Sequence, residues 1–317
     1  MKRKLAIIGA LSAIGRAILD CLAAHGFSSS EIYAVDSCQN VGTLLPFRER
    51  LIQTVAMETF DYTSVDLFFL CTPTILAEYR ERMLNHGQYL IDCIGIMEEG
   101  PCVIPTLNIR ALKGKRLISN PTGMTVTLAQ ILNPIHKAFH IQWACATALL
   151  PAGEFGPEAV QALVDQTRSL YTREDYSDGP FQKIQAFNLI PEIHPGLQYR
   201  TTKQLKNILH IPVHIATCLA PIFQGECYSL SLTTRHKCLL SEIEALFQYD
   251  NSCRIVQNIT PYTTISTLDT ACSDSIFLSH LDIIPYQTNT FHLWIVCDSL
   301  RTGAAQNAVY IAEYILS

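Results

Sequence analysis

Charge is scarce in this 317-residue chain: Asp, Glu, Lys and Arg together make up 16% of it, against roughly 25% in ordinary soluble domains. A surface so poor in charge implies that part of it is covered in an oligomer. Positive charge is not in excess either, since 28 acidic residues outnumber 23 basic ones and the net charge is -5. Binding nucleic-acid phosphates requires a clustered positive surplus, so no nucleic-acid partner is expected. No stretch reaches the ~18 uninterrupted apolar residues of a membrane-spanning helix, and no membrane association is expected. The basic start Lys2-Arg3-Lys4 leads into a short apolar run broken by Gly9 and Ser12, which reads as a first strand and not as an export signal. No Cys-x-x-Cys pair occurs, so the usual zinc and thioredoxin spacings are missing. The twelve cysteines mostly sit in apolar runs, as in Leu70-Cys71 and Val296-Cys297. They read as reduced, buried small hydrophobes of a cytoplasmic protein.

What is present supports two domains, because a chain this long exceeds one ordinary core and 49% of its residues are apolar. The first third alternates strand and helix. Lys4 to Ile8 is an apolar run that ends at Gly9, the pattern of a buried parallel strand. Ile14, Ala17, Ile18, Cys21 and Leu22 repeat at helical spacing, and Gly26 closes that helix. Glu31 to Val35, Asp66 to Cys71, Gln88 to Asp92 and Arg116 to Ser119 continue the strand series, with a helix expected from Pro73. Such alternation implies a Rossmann-type doubly wound parallel sheet in an α/β fold. From about 141 to 300 the pattern changes to period-2 runs such as Tyr228 to Thr233 and Phe291 to Val296. These predict a mostly antiparallel sheet with one covered face. Ala159 to Leu170 reads as a helix, 172–186 and 195–203 as polar loops, and Gly303 to Leu316 as a last helix.

The loop after the first strand is Gly9-Ala10-Leu11-Ser12-Ala13-Ile14-Gly15. A glycine-rich turn opening a helix offers N–H groups to a pyrophosphate. The spacing is G-x-x-S-x-x-G, so serine replaces one glycine and its Cβ would hold a phosphate further off. A tight strand-to-helix turn without a ligand fits the same residues. Asp36, at the end of the second strand, is placed to meet a ribose hydroxyl.

Further along, an ordered series of segments resembles one family. Gly9 to Gly15 is similar to the G-A-T-G-A-V-G loop of aspartate-semialdehyde dehydrogenases. Ser119-Asn120-Pro121-Thr122-Gly123-Met124-Thr125 resembles their N-P-N-C-S-T active-site segment, and Ile131 to Ile135 their L-K-P-L. Phe187 to Pro191 resembles F-N-V-I-P, Pro221 to Glu226 resembles P-V-F-x-G-H, and Asp298 to Ala305 resembles D-N-L-R-K-G-A-A. The order is collinear over nearly the whole chain, and the pattern resembles the Usg-type branch with a degenerate active site.

That resemblance implies a chemistry whose groups are missing here. In the family a cysteine thiolate adds to an aldehyde, hydride passes to NADP, phosphate releases the thioester, a histidine shuttles protons and arginines hold the anions. Carried over by position, the nucleophile falls on Gly123, the base on Glu226, the substrate-binding arginine on Leu219 and the active-site glutamine near Leu149. The phosphate-binding arginine falls near Glu98, and the arginine for the 2′-phosphate of NADP near Gln39. The catalytic roles are therefore vestigial. Cofactor binding, if retained, would use Gly9, Leu11, Ser12, Ala13, Ile14, Gly15 and Asp36, with NAD or NADP held weakly or not at all.

Other signals carry less. His210 and His214 are four apart, but Pro212 between them favours a strand or turn over a metal-binding helix face, and no metal is expected. Glu226 and Cys227, adjacent on a strand, would point to opposite faces. Asp92 and Cys93 end an apolar strand, where ligands bind in such sheets. The expected organisation is a nucleotide-binding-type domain of 1–123 with 301–317, and an α+β dimerisation domain of 124–300. The leading reading is an inactive homodimer joined through the second domain and acting by binding an unknown small molecule or protein. The rival is an oxidoreductase on an aldehyde or oxo substrate that uses NAD(P) without a covalent step.

Overall fold

The computed structural model describes residues 3–73, 77–85, 87–95, 99–172, 176, 178–192, 195–248, 252–256, 260, 263–271, 273–285, 287 and 289–317. The chain divides into two compact units, Met1–Val126 with Gly303–Ser317, and Thr127–Thr302.

The first unit is built on a seven-stranded sheet. Its strands are β1 (Leu5–Ile8), β2 (Ile32–Asp36), β3 (Leu44–Phe47), β4 (Arg50–Ala56), β5 (Leu67–Leu70), β6 (Tyr89–Asp92) and β7 (Leu117–Ser119). Helices α1 (Ala13–Ala24), α2 (Ala77–Leu84) and α3 (Pro105–Asn108) lie between them, and α4 (Gly123–Phe139) follows. The order is β3-β4-β2-β1-β5-β6-β7. All pairs are parallel except β3 with β4. This is the doubly wound arrangement expected from the strand–helix alternation. β1 and β5 are wholly buried apolar strands, and Phe68 and Phe69 are 0% exposed. Burying each such ring stabilises the fold by roughly 1.5–3 kcal/mol. The antiparallel β3–β4 hairpin was not expected. It lies at the sheet edge, where half its residues face solvent and the apolar pattern is short. The helix expected from Pro73 corresponds to α2; residues 74–76 lie outside the described residues.

The second unit holds another seven-stranded sheet, β8 (Ile141–Leu150), β9 (Ile190–Pro191), β10 (Val213–Leu219), β11 (Glu226–Thr234), β12 (Cys253–Ile255), β13 (Ile276–Ile283) and β14 (Thr290–Cys297). Helices α5 (Pro157–Thr172), α6 (Pro195–Leu209), α7 (Leu240–Phe247) and α8 (Thr267–Thr270) connect them, and α9 (Gln306–Leu316) returns to the first unit. The order is β12-β13-β14-β11-β8-β10-β9. The expectation of a mostly antiparallel sheet needs refinement, because β8 pairs parallel with β10 and β12 with β13. A parallel pair requires a crossover, and the long β8-to-β10 connection carries α5 and α6. Period 2 holds: Tyr228, Leu230 and Leu232 are 0% exposed, while Ser229, Ser231 and Thr233 between them are half-buried.

The expectation of a loop at 195–203 is wrong, for that stretch begins α6. Pro195 suits a first helical position. The buried stripe Thr201, Leu205 and Leu209 recurs every four residues, and its polar first member hid the helical period. The last helix also differs. Ser299–Ala305 forms a π-helical segment before α9 begins at Gln306. Among the described residues no helix is long and apolar enough to cross a membrane.

The return of the C-terminal segment to the first unit depends on a glycine. A Cβ at Gly303 would lie 2.6 Å from the carbonyl oxygen and 2.7 Å from the Cα of Gly123. Such separations are below van der Waals contact, and backbone cannot give way as a side-chain tip can. Two buried amides lock the same region. Asn120 Nδ2 donates to the Ala304 carbonyl at 2.9 Å, and Asn307 Nδ2 donates to Asn120 Oδ1 at 2.8 Å and to the Val103 carbonyl at 2.9 Å. Gly303→Ala is therefore expected to destabilise the protein by about 1–3 kcal/mol, the range for forced overpacking. Urea unfolding measures this, and a change within about 0.5 kcal/mol would show that the approach is not a constraint.

Candidate functional site

In the first unit the strand order reverses at β1, with β2 on one side and β5 on the other. Ligands of open α/β sheets bind in the crevice at the carboxyl end of such a switch point. The loop Gly9 to Gly15 lies there. Gly9 has φ +85°, and a Cβ on it would be 2.7 Å from Thr72 Cβ. A Cβ on Gly15 would lie 2.5 Å from the Gly9 carbonyl oxygen, so this glycine lets α1 approach β1.

The structure brings the expected loop residues and Asp36 together, but the loop bonds largely to itself. Ser12 is the N-cap of α1; its hydroxyl accepts from the Gly15 N–H at 3.1 Å and donates to the Gly9 carbonyl at 2.7 Å. The Ser12 N–H donates to the Gly9 carbonyl at 3.1 Å. Leu11 N–H donates to Asp36 Oδ2 at 3.1 Å. Asp36 Oδ1 accepts from the Ser37 N–H at 2.9 Å and from Asn40 Nδ2 at 2.8 Å. Ala13 and Ile14 open α1, where N–H groups have no intrahelical acceptor; they are the loop donors best placed for an anion. An ionised carboxylate has about four lone-pair sites, so Asp36 keeps room for one more donor. Gln39 is exposed on the turn Cys38–Asn40 beyond β2. Sequence reading overlooked Arg16, whose Nε donates to the Leu11 carbonyl at 3.1 Å and which brings a guanidinium to the loop rim. Its place one residue past Gly15 was the available signal.

Gly123 is the first residue of α4. The hydroxyl of Thr122 before it accepts from the Thr125 N–H at 3.2 Å and pairs with the Thr125 hydroxyl at 2.8 Å. A cysteine at a helix N-terminus has its thiolate favoured; here the position carries no side chain. Glu98 lies outside the described residues. At the end of β6, Asp92 is fully buried and its Oδ1 accepts from the Ile94 and Gly95 N–H groups at 3.1 and 2.8 Å. Cys93 beside it is half-buried.

In the second unit Leu149, Leu219 and Glu226 gather at one end of the sheet. Leu219 pairs with Leu150, and Cys227 with Leu149, which places Glu226 beside Leu150. Alternation then puts Leu219 and Glu226 on the buried face with Leu150, at 1%, 2% and 0% exposure, and Leu149 on the other face with Cys218 and Cys227. The structure thus unites Leu219 with Glu226 and leaves Leu149 out.

Glu226 is the densest piece of chemistry in this unit. Ser299 Oγ donates to its Oε1 at 2.5 Å, and the Tyr228 hydroxyl donates to its Oε2. Burial pushes the Glu226 carboxyl up to about 7; the Ser299 and Tyr228 bonds oppose that shift, and Asp298 adds to it. Glu154, half-buried nearby, is raised well above the carboxylate range by burial, then by Glu226 and Asp298. Tyr228 is held protonated by burial and by the charge of Glu226, which keeps it a donor. None of Glu154, Tyr228, Asp298 or Ser299 was singled out from sequence. Tyr228 was legible, two residues from Glu226 on the same strand face; the others come from distant segments. His214 lies on β10 and His210 at the end of α6. Among the described residues no group of three His, Cys, Asp or Glu could hold a metal ion.

A doubly wound nucleotide-type sheet in one unit and a mixed seven-stranded sheet in the other define a two-unit α/β protein. Residues 132–302, more than half of the chain, match the semialdehyde dehydrogenase dimerisation domain; the chain belongs to that family. It is 27% identical over 331 residues to the aspartate-semialdehyde dehydrogenase of Rickettsia bellii, covering 99% of this chain and 98% of that protein. It is 25% identical to the USG-1 protein homolog of Azotobacter vinelandii, covering 98% and 97%. In fold it superposes on a probable aspartate-semialdehyde dehydrogenase from Pseudomonas aeruginosa with a TM-score of 0.92 at 23% identity, covering 100% and 99%. The Candida albicans aspartate-semialdehyde dehydrogenase, solved with NADP, gives 0.74 at 14% identity, covering 99% and 98%.

The carboxyl of Glu226 makes a testable link to stability. Its folded-state value of about 7 lies above the ordinary 4.5, so the native state binds the proton more tightly than the unfolded chain. The stabilisation is full below about pH 4.5, fades as pH rises and is gone above about pH 7. The span corresponds to roughly 3 kcal/mol. Glu226→Gln stays neutral and removes this dependence. Melting curves between about pH 5 and pH 8 should show the wild type losing stability relative to the variant; parallel curves would refute the assignment.

Proposed function

We propose that this chain is a catalytically inactive, homodimeric relative of the aspartate-semialdehyde dehydrogenases, acting by binding. One observation carries the reading: Gly123 stands at the head of α4, where the family's thiolate falls. Covalent acyl transfer needs a nucleophile, and a neighbouring hydroxyl engaged in capping the helix is a poor substitute. Leu219 in place of an anion-binding arginine supports the same conclusion, since a buried leucine cannot pair with a carboxylate. The self-bonded loop supports weak binding of NAD or NADP through Ala13, Ile14 and Asp36. A bound nicotinamide would supply a hydride acceptor; these residues would only position it. No phosphate-dependent oxidation of aspartate semialdehyde is expected from the purified protein, and Gly123→Cys alone should not restore it. Turnover that disappears on omitting NADP would overturn the reading.

The alternative is an oxidoreductase acting on an aldehyde or oxo substrate without a covalent step. Glu226 favours it, because a carboxyl near neutrality is suited to acid–base work. Calorimetric titration with NAD and NADP, followed by a screen of carbonyl substrates, separates the two. Tight binding with turnover selects the enzyme, and weak or absent binding the inactive protein.

The homodimer is proposed to form through the second sheet, whose outer face shows Trp143, Thr147, Leu149, Ser229, Ser231 and Trp294 partly open. A two-fold interface uses the same patch twice. It should bury more than ~2,000 Å², the obligate range. Analytical ultracentrifugation at micromolar concentration should give a dimer, and a clean species at the 35.4 kDa of one chain would exclude it.

A further inference from the structure

We propose that Cys71 and Cys93 form an oxidisable dithiol, which hydroperoxides convert into a disulfide linking the carboxyl ends of β5 and β6. Neither residue has a catalytic part in the dehydrogenase-like reading. The pairing of β5 with β6 runs to Leu70 opposite Asp92. The Cys93 N–H donates to the Leu70 carbonyl at 3.0 Å, the bond that closes this last pair. Cys71 and Cys93, each one residue past it, are therefore neighbours where the two parallel strands end. Such strands lie about 4.8 Å apart, inside the roughly 4.4–6.8 Å between Cα atoms that a disulfide spans. Neighbours in this register present side chains on the same face, and the Cys71 thiol is close enough to act on the Cys93 thiol. Its Sγ also lies 3.7 Å from the Ile91 carbonyl oxygen. Cys71 is buried and Cys93 half-buried, so Cys93 is the member of the pair nearer solvent.

The chemistry balances in two steps. The Cys93 thiolate attacks the hydroperoxide O–O bond, giving a sulfenic acid and releasing alcohol after proton uptake. The Cys71 thiol then displaces water from that sulfenic sulfur and the S–S bond forms. Two thiols and one hydroperoxide become a disulfide, an alcohol and water; the two sulfurs together lose two electrons. A dithiol reductant reverses it by exchange. Burial, then Cys71, and finally the charge of Asp92 hold the Cys93 thiol well above its usual range. The thiolate is the nucleophile, so the pair reacts slowly near neutrality and faster in alkali. The cross-link would sit against the first residue of the nucleotide loop. A Cβ on Gly9 would meet the Cys71 carbonyl carbon at 3.0 Å. The proposal does not depend on nucleotide binding.

The test uses the full chain, treated with tert-butyl hydroperoxide near pH 7 and near pH 9, alkylated, digested without reduction and mapped by mass spectrometry. A peptide joining Cys71 to Cys93 should be the main intramolecular cross-link. It should form at least ~tenfold faster at the higher pH, as the thiolate fraction rises, and vanish with dithiothreitol. Because the product is read on the wild-type chain, it needs no variant that folds. Cys71→Ser should leave Cys93 as a sulfenic acid that dimedone traps. Alkylation of both cysteines after exposed Cys38 has been fully oxidised would overturn the proposal, as would a cross-link of Cys93 to any other cysteine.

Discussion

The contact on which much of the first unit rests is backbone against backbone, where Gly303 meets Gly123 with no room for a Cβ. Around it Asn120 and Asn307 satisfy one another and two carbonyls in a buried setting. Buried amides left unpaired would cost about 1–3 kcal/mol each, so the network holds the segment before α4 and the start of α9 in one arrangement. The head of α4 at Gly123 is thus a place where two main chains touch.

Burial organises the second unit's chemistry in a different way. Glu226 is out of water, yet neutral donors hold both of its oxygens, Ser299 from the π-helical segment and Tyr228 from its own strand. With burial acting first and Asp298 adding negative charge, the carboxyl favours its protonated form. Removing charge from water without a compensating cation is costly, and a group meets that cost by neutralising. The arrangement suits a structural carboxylic acid as well as an acid–base group.

The nucleotide-type loop shows the same turning inward. Ser12 caps its own helix and Asp36 takes the Leu11 N–H. A phosphate would have to compete with these bonds or use the donors that remain. Fold and ligand readiness are thus separable in this chain: the switch point is present, while several groups that would greet a nucleotide already have internal partners.

Much of the fold was legible from local pattern. Apolar runs marked β1, β2, β5 and β6, period 2 marked β11 and β14, and the glycine and proline motifs in order marked the family. Absence of a thiol at Gly123 needs no structure at all. The edge hairpin β3–β4 and helix α6 escaped because solvent exposure in one case, and polar residues on a buried stripe in the other, weakened the period that betrays an element. Asp36 with Leu11, Glu226 with Ser299, and Cys71 with Cys93 were not legible as pairs. Each joins residues far apart in sequence, and which strands become neighbours is decided by crossovers and core packing, not by the residues of either strand. The sequence by itself determined which side chains and which omissions the chain carries; the tertiary structure alone decided what each of them faces, because burial and proximity, not residue type, set the charge a carboxyl bears and the partner a thiol meets.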